Sequence, residues 1–154
     1  MISTIFSLAL TGVEAKIIHV EVDIQNGLPT FDLVGLASGA TKEARERVRS
    51  AIKNSGFDFP NRRITVNLAP ADIKKDGSHF DLPIALGILL ATEQVKSLPL
   101  EHHYFCGELS LNGDLRSVPG ILPMALELAQ LNQNIHFYIP KDNRQEASLV
   151  NEIS

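Results

Sequence analysis

RRITVNLAPADIKKDGSHFDLPIALGILL, residues 62–90, is the stretch that decides the fold. Apolar and polar residues alternate over 64–68, which is the period of a strand with one buried face. Residues 71–80 are polar and charged and predict a loop, whereas the apolar run 84–90 predicts a buried helix. We expect Asp81 to cap that helix. This order places the loop at a helix N-terminus, where free amides and the helix dipole favour an anion.

The charged part of this loop has two interpretations. Lys74, Lys75 and Asp76 precede Gly77, which can adopt a positive φ at a bend, and Ser78 follows. Either the loop contacts an anion or a partner at the helix N-terminus, or it is a surface loop whose charges keep it solvated. The residue pattern favours neither.

Outside this stretch, the hydrophobic period predicts an α+β domain. The Asn112-Gly113 dipeptide between two short β-like runs is a strong hairpin signal. We expect the first three strands to form an antiparallel meander within two layers, with helices on one face of a mixed sheet. The further predicted elements are strands at 4–10, 16–25, 31–36, 103–109 and 135–139, helices at 41–54, 119–131 and 141–150, and a linker at 96–101.

The composition is that of one globular domain over residues 1–154. Hydrophobic residues make up 44% and charged residues 21%, without an apolar run of transmembrane length or a basic leader, which predicts a cytoplasmic protein with no membrane partner. The single cysteine, Cys106, has apolar neighbours and is expected to be a buried thiol. A net charge of −4 argues against a dedicated nucleic-acid-binding protein but leaves room for a local basic patch.

Such a patch is predicted on the helix at 41–54. Four basic residues recur on one face at spacings of three and four, which suits contact with phosphates or with an acidic partner surface. The alternative is a solvated face, because Glu43 and Glu46 are spaced to pair with basic residues of the same helix. The candidate contact residues, taken with the other dense basic groups, are Lys42, Arg45, Arg49, Lys53, Arg62, Arg63, Lys74 and Lys75.

Three segments carry a family resemblance. They are RERVRSAIKNSGFDFPNRRITVNLAPADIKKDGSHFDLPIALGIL at 45–89, GLPTFDLVGL at 27–36 and CGELSLNGDLRSVPGILPMA at 106–125. Together they resemble the N-terminal domain of the magnesium-chelatase-like AAA+ ATPases of bacteria, the ComM family, over nearly the whole chain. Ala37 departs from the proline that the family usually carries after VGL.

The resemblance implies a fold similar to the proteolytic domain of Lon, a ribosomal-protein domain 2-like fold, and to the C-terminal domain of RadA. Lon uses a Ser–Lys dyad. Aligning residues 75–77 with the Lon-type motif puts His79 at the nucleophile position and Ser78 one residue early, and aligning 107–113 puts Leu122 at the lysine position. A serine needs a nearby base, which an aliphatic side chain does not supply. We therefore expect no catalytic residues in this chain.

Metal and nucleotide chemistry are not predicted here. His102, His103 and Cys106 match no usual zinc spacing. The chain also lacks a G-x-x-x-x-G-K-[ST] phosphate loop. In the family that the chain resembles, the phosphate loop lies in a following AAA+ module, so ATP and magnesium are expected there and the chain is expected to be an N-terminal fragment.

Three functional hypotheses remain. The first, implied by the resemblance, is an accessory domain of a ring-forming ATPase that branch-migrates DNA during natural transformation, helping to assemble the ring or to engage DNA. The second is a divergent Lon-type serine hydrolase in which Ser78 recruits His79 or Lys74 as its base; Leu122 argues against it. The third is a protein–protein docking domain without DNA contact, which the acidic balance suits.

Overall fold

The structure is a computed structural model that describes residues 1–97, 99–131 and 134–150. Among these residues, no helix combines the length and the apolar character needed to cross a membrane. The strands are β1 (Ile2–Thr11), β2 (Glu14–Gln25), β3 (Thr30–Val34), β4 (Arg63–Ala69), β5 (His103–Phe105), β6 (Glu108–Leu109), β7 (Leu115–Arg116) and β8 (His136–Tyr138). The helices are α1 (Thr41–Asn54), α2 (Asp81–Ala91), α3 (Ile121–Ala129) and α4 (Arg144–Ala147), with 3-10 turns at Ser38–Ala40 and Lys141–Asn143.

Six strands form one mixed sheet in the order β3-β4-β2-β1-β5-β8. The pairs β1/β2 and β2/β4 are antiparallel, whereas β3/β4, β1/β5 and β5/β8 are parallel. The predicted antiparallel meander is therefore wrong for β3, which pairs with β4 and not with β2. The reason is the connection through α1, because a strand, a helix and a returning strand form a parallel crossover unit.

The helices α1 and α2 cover one face of this sheet, as predicted. The alternating residues Ile64, Val66 and Leu68 of β4 are fully buried beneath them, together with Ile88 of α2. A Cβ on Gly87 would lie 2.5 Å from Val22 Cγ2, so the glycine lets α2 approach β2 closely. The predicted α+β class with a mixed sheet is confirmed.

Helix α3 packs on the opposite face, over β1 and β2, and in this it differs from the expectation that all helices share one face. Leu8 and Tyr104, whose side chains point away from α2, contact Ile121 and Met124 of α3 in a second apolar cluster. Cys106 is fully buried in the same cluster, as predicted. The sequence pattern predicts strands with one apolar face, but β1 has apolar residues on both of its faces.

The C-terminal third departs from its predicted bounds. The strand expected over 103–109 is interrupted, because β6 leaves the main sheet and pairs with β7 across the predicted Asn112-Gly113 hairpin. The helix expected over 141–150 is a 3-10 turn followed by the four residues of α4.

Candidate functional site

A cleft of about 730 Å³ opens between α1, β3 and the segment that leads into β4. Arg45, Arg49 and Lys53 line it from α1, because residues four apart in a helix share a face. Arg62 lines it from the segment before β4, and Asp32 from β3. The structure thus brings four of the predicted basic contact residues together. We call this feature the basic cleft.

Two aromatic rings hold the central cation of the basic cleft in place. The Arg49 guanidinium carbon lies 5.2 Å from the centroid of the Phe59 ring and 5.9 Å from that of Phe31. The two rings are themselves 5.4 Å apart. Arg49 Nη1 also donates a hydrogen bond of 2.8 Å to Glu46 Oε1. Cation–π contacts of this kind orient the planar guanidinium while leaving it partly exposed.

Three other predicted contact residues lie elsewhere on the surface. Lys42, Arg63 and Lys74 are exposed but do not line the basic cleft. They offer the same charge without the aromatic support or the concave shape. They are therefore suitable reference positions for experiments on the cleft.

Lys75 is not a surface residue, and its prediction as a contact residue is corrected. Its side chain is 2% exposed, and its ammonium group donates to the carbonyl oxygen of Pro70. Burial lowers the pKa of Lys75, and nearby Asp72 opposes that shift. The Lys75 carbonyl accepts from the Ala37 amide at 3.1 Å. The lysine therefore ties the loop to the end of β3 and does not face a ligand.

The prediction of free amides at the N-terminus of α2 is wrong. The Asp81 amide donates to the Ser78 carbonyl at 3.2 Å, and the Leu82 amide donates to the Gly107 carbonyl at 3.1 Å. The Gly107 amide in turn donates to the His79 carbonyl at 2.9 Å. These bonds pin the loop against the start of β6, so an anion has no open helix end to bind.

Asp81 is also not the cap that the sequence predicted. It lies within the first turn of α2, and its carboxylate accepts from Arg47 Nε at 2.6 Å and from the Leu109 amide at 3.1 Å. Burial raises the pKa of the Asp81 carboxyl, while the bond from Arg47 opposes this rise. The residue thus links α1, α2 and β6, and its role is structural.

The Lon-like positions do not form a catalytic group. His79 is buried, and its Nε2 lies 2.7 Å from the Leu8 carbonyl oxygen, which makes Nε2 the donor. Burial lowers the pKa of His79. Within the described ranges, the Ser78 hydroxyl makes no hydrogen bond to His79 or Lys74. Leu122 is half-buried, and its amide donates to Glu146 Oε2 at 3.0 Å.

A metal site is not assembled from the described side chains. They contain no group of three or more His, Cys, Asp or Glu residues placed to hold an ion. Burial raises the pKa of the Cys106 thiol. His102 is exposed, whereas His103 is half-buried with Nδ1 2.9 Å from the Tyr138 hydroxyl.

Sequence reasoning missed two parts of this region. Phe31 and Phe59 had not been connected with Arg49, because their contact joins three segments of the chain. The bond between Arg47 and Asp81 spans 34 residues. The one sequence signal for this ion pair is that Arg47 lies outside the basic face of α1. A cation on that side of the helix needs an acidic partner to neutralise its charge.

Residues 20–143 match the family described as subunit ChlI of Mg-chelatase. The chain belongs to this family. The competence protein ComM of Haemophilus influenzae is 46% identical over 151 residues, which is 98% of this chain and 29% of that protein. YifB of Escherichia coli is 46% identical over 97% of this chain, and Rv2897c of Mycobacterium tuberculosis is 41% identical over 96%. The resemblance seen in the sequence is confirmed. This ChlI-family chain spans about 29% of the length of these relatives.

Proposed function

We propose that this chain is a non-catalytic accessory domain of a ChlI-family AAA+ ATPase that acts on DNA, and that it engages DNA through the basic cleft. The convergence of Arg45, Arg49, Lys53 and Arg62 on one concave surface carries the proposal. The 46% identity to the competence protein ComM supports a role in competence, for which DNA is the natural substrate.

The chemistry of the cleft suits a nucleic-acid backbone. Arg45, Lys53 and Arg62 offer charge to phosphates, which supply most of the sequence-independent affinity. The oriented plane of Arg49 above Phe59 adds a surface for a phosphate or for an unpaired base. Because the chain carries a net charge of −4, long-range repulsion opposes binding and the isolated domain binds weakly.

The proposed role is accessory because the side chains at the Lon-like positions do not supply a nucleophile with its base. His79 is committed to the Leu8 carbonyl, and Leu122 stands where a lysine would be needed. ATP hydrolysis belongs, in this proposal, to the AAA+ module of the longer relatives. That module would bind ATP and magnesium, drive branch migration during transformation and form the ring, with this domain as its partner.

One observation favours a second candidate function. The acidic balance of the chain suits a docking domain that contacts another protein and not DNA. In that case the basic cleft receives an acidic protein surface. The two candidates differ in whether DNA affinity depends on the cleft.

The test is a titration of labelled single-stranded and forked DNA with this chain and with the intact protein at two salt concentrations. The variant Arg45→Glu/Arg49→Glu should abolish binding by this chain and weaken binding by the intact protein. The matched control is Lys42→Glu/Lys74→Glu, which reverses two exposed charges outside the cleft. If the cleft variant binds as the control does, while circular dichroism shows that it is folded, DNA does not enter the cleft and the docking function is favoured.

A further inference from the structure

The outer flank of α2 carries an apolar stripe that the fold covers only in part. Leu82, Leu86 and Leu90 follow one another at spacings of four, so they lie along one side of the helix. All three are half-buried, whereas Ile84 and Ile88 on the inner side are fully buried. We call these three residues the leucine stripe. It is about 12 Å long at 1.5 Å per residue.

One end of the leucine stripe opens into an apolar cleft with a basic rim. Leu82 and Leu86 line this cleft of about 470 Å³ together with Tyr138, which is 44% exposed. Lys141 and Arg144 are exposed at the same cleft. Neither has an ion-pair partner in the described part of the chain, so both charges are available to another molecule.

The other end of the stripe opens into a cleft with an acidic rim. Leu90 lines this cleft of about 420 Å³ together with Ile2, which is 73% exposed. Glu93 and Glu101 are exposed there. The amino group of Met1 also borders it. That group donates to the Ile24 carbonyl at 2.8 Å and lies 3.9 Å from Asp23, so it does not cancel the acidic rim.

We propose that a second copy of this chain covers the leucine stripe in a two-fold symmetric dimer. With the two α2 helices antiparallel, Leu82 of each copy meets Leu90 of the other. Lys141 and Arg144 of each copy then face Glu93 and Glu101 of its partner. A two-fold axis requires the same patch on both copies to be self-complementary, and opposite charges at the two ends of one apolar stripe meet that requirement.

Apolar burial supplies the affinity of this dimer, and the charged ends set its register. The stripe and the exposed Tyr138 and Ile2 form the apolar centre, and the charges form the rim. Like charges would meet if the helices were parallel, so the rim selects the antiparallel arrangement. This surface is separate from the basic cleft, and the dimer is independent of the proposed DNA contact.

Charge swapping combined with sedimentation equilibrium tests the dimer. The unmodified chain should show a concentration-dependent monomer–dimer equilibrium. Lys141→Glu/Arg144→Glu and Glu93→Lys/Glu101→Lys should each weaken self-association about tenfold or more. An equimolar mixture of these two variants should form a one-to-one dimer, because both rims are then complementary again. One chain carrying all four substitutions should dimerise as the unmodified chain does.

The control variant Lys42→Glu/Lys74→Glu should dimerise normally, since neither position borders the stripe. The proposal is overturned if the unmodified chain stays monomeric up to millimolar concentration, which would leave the stripe to a different partner. It is also overturned if the two rim variants associate as well as the control, or if their mixture fails to dimerise. Species larger than dimers would contradict the two-fold arrangement.

Discussion

The Arg47 guanidinium donates two hydrogen bonds to the Asp81 carboxylate, from Nε to Oδ2 at 2.6 Å and from Nη2 to Oδ1 at 3.2 Å. This pair joins the middle of α1 to the first turn of α2. Asp81 is 1% exposed and Arg47 is 25% exposed, and within the described ranges no other cation forms a salt bridge with this carboxylate. The pair therefore ties α1 to α2, the two helices that cover the same face of the sheet.

Removing the cation should destabilise the domain. Arg47→Ala leaves a buried carboxylate without its partner, and breaking a buried pair costs about 3–5 kcal/mol. We expect the lower end of that range, because Arg47 is partly exposed. Denaturant titration measures the free energy of unfolding. Lys42→Ala on the same helix should cost less than about 0.5 kcal/mol.

The double variant Arg47→Ala/Asp81→Asn tests whether the loss of stability in Arg47→Ala comes from the unpaired charge of Asp81. It should be more stable than Arg47→Ala, because the uncompensated charge is gone. If Arg47→Ala alone were as stable as Lys42→Ala, the pair would not hold the helices together.

The free energy of unfolding should decrease as the pH falls below neutral, because His79 is buried. Burial lowers the pKa of His79 in the folded state below its ordinary value of 6.5. The unfolded chain therefore binds a proton as the pH falls through about 6.5, while the folded chain does not. The unfolding free energy should then decrease with falling pH, at up to about 1.4 kcal/mol per pH unit for this one proton.

Urea titrations at pH 7.5, 6.5 and 5.5 measure this slope. His79→Gln keeps a donor for the Leu8 carbonyl but does not titrate, so its slope should be shallower. Part of the slope should remain, because the pKa of His103 is also lowered by burial. Equal slopes in the unmodified and His79→Gln proteins would show that His79 binds its proton equally in the folded and unfolded states, so that folding does not lower its pKa.

Two neighbouring lysines should differ sharply in reactivity. Lys74 is exposed, whereas the Lys75 ammonium is buried against the Pro70 carbonyl. A water-soluble acylating reagent at short times should modify Lys74 at least about tenfold faster than Lys75 in the folded protein. Peptide mass spectrometry measures both sites in one sample. Denaturation should abolish the difference, and equal modification of the folded protein would place Lys75 at the surface.

The chain should show no hydrolase labelling. An acyl-fluorophosphonate probe reacts with a serine that is activated by a base, and the Ser78 hydroxyl has no such partner among the described residues. We expect no labelling of Ser78, no casein cleavage and no ATP hydrolysis. Labelling that Ser78→Ala removes would revive the hydrolase hypothesis.

Local patterns were sufficient for some elements and failed for others. The spacing of residues 41–54 predicted α1, and Asn112-Gly113 predicted the β6–β7 hairpin, because both signals act within a few residues. The pairing of β3 was wrong because period-two alternation shows which face is buried and not which strand lies alongside.

The candidate site shows the same limit. Helical spacing alone grouped Arg45, Arg49 and Lys53 on one face. The sequence predicted Lys75 as a contact residue and Asp81 as a helix cap, but their observed partners are the Pro70 carbonyl and Arg47 of α1. Neither partner can be predicted from the residues that flank Lys75 or Asp81 in the sequence. The DNA contact of the basic residues stays a prediction.

The salt dependence of single-stranded DNA binding tests the central proposal most directly. If the four cations of the basic cleft each neutralise one phosphate, log K should fall with log salt at a slope of roughly −2 to −3. Arg62→Ala should make that slope shallower by about 0.7, whereas Lys42→Ala should leave it unchanged. A slope near zero, or equal slopes for the unmodified chain and Arg62→Ala, would contradict DNA binding in the basic cleft.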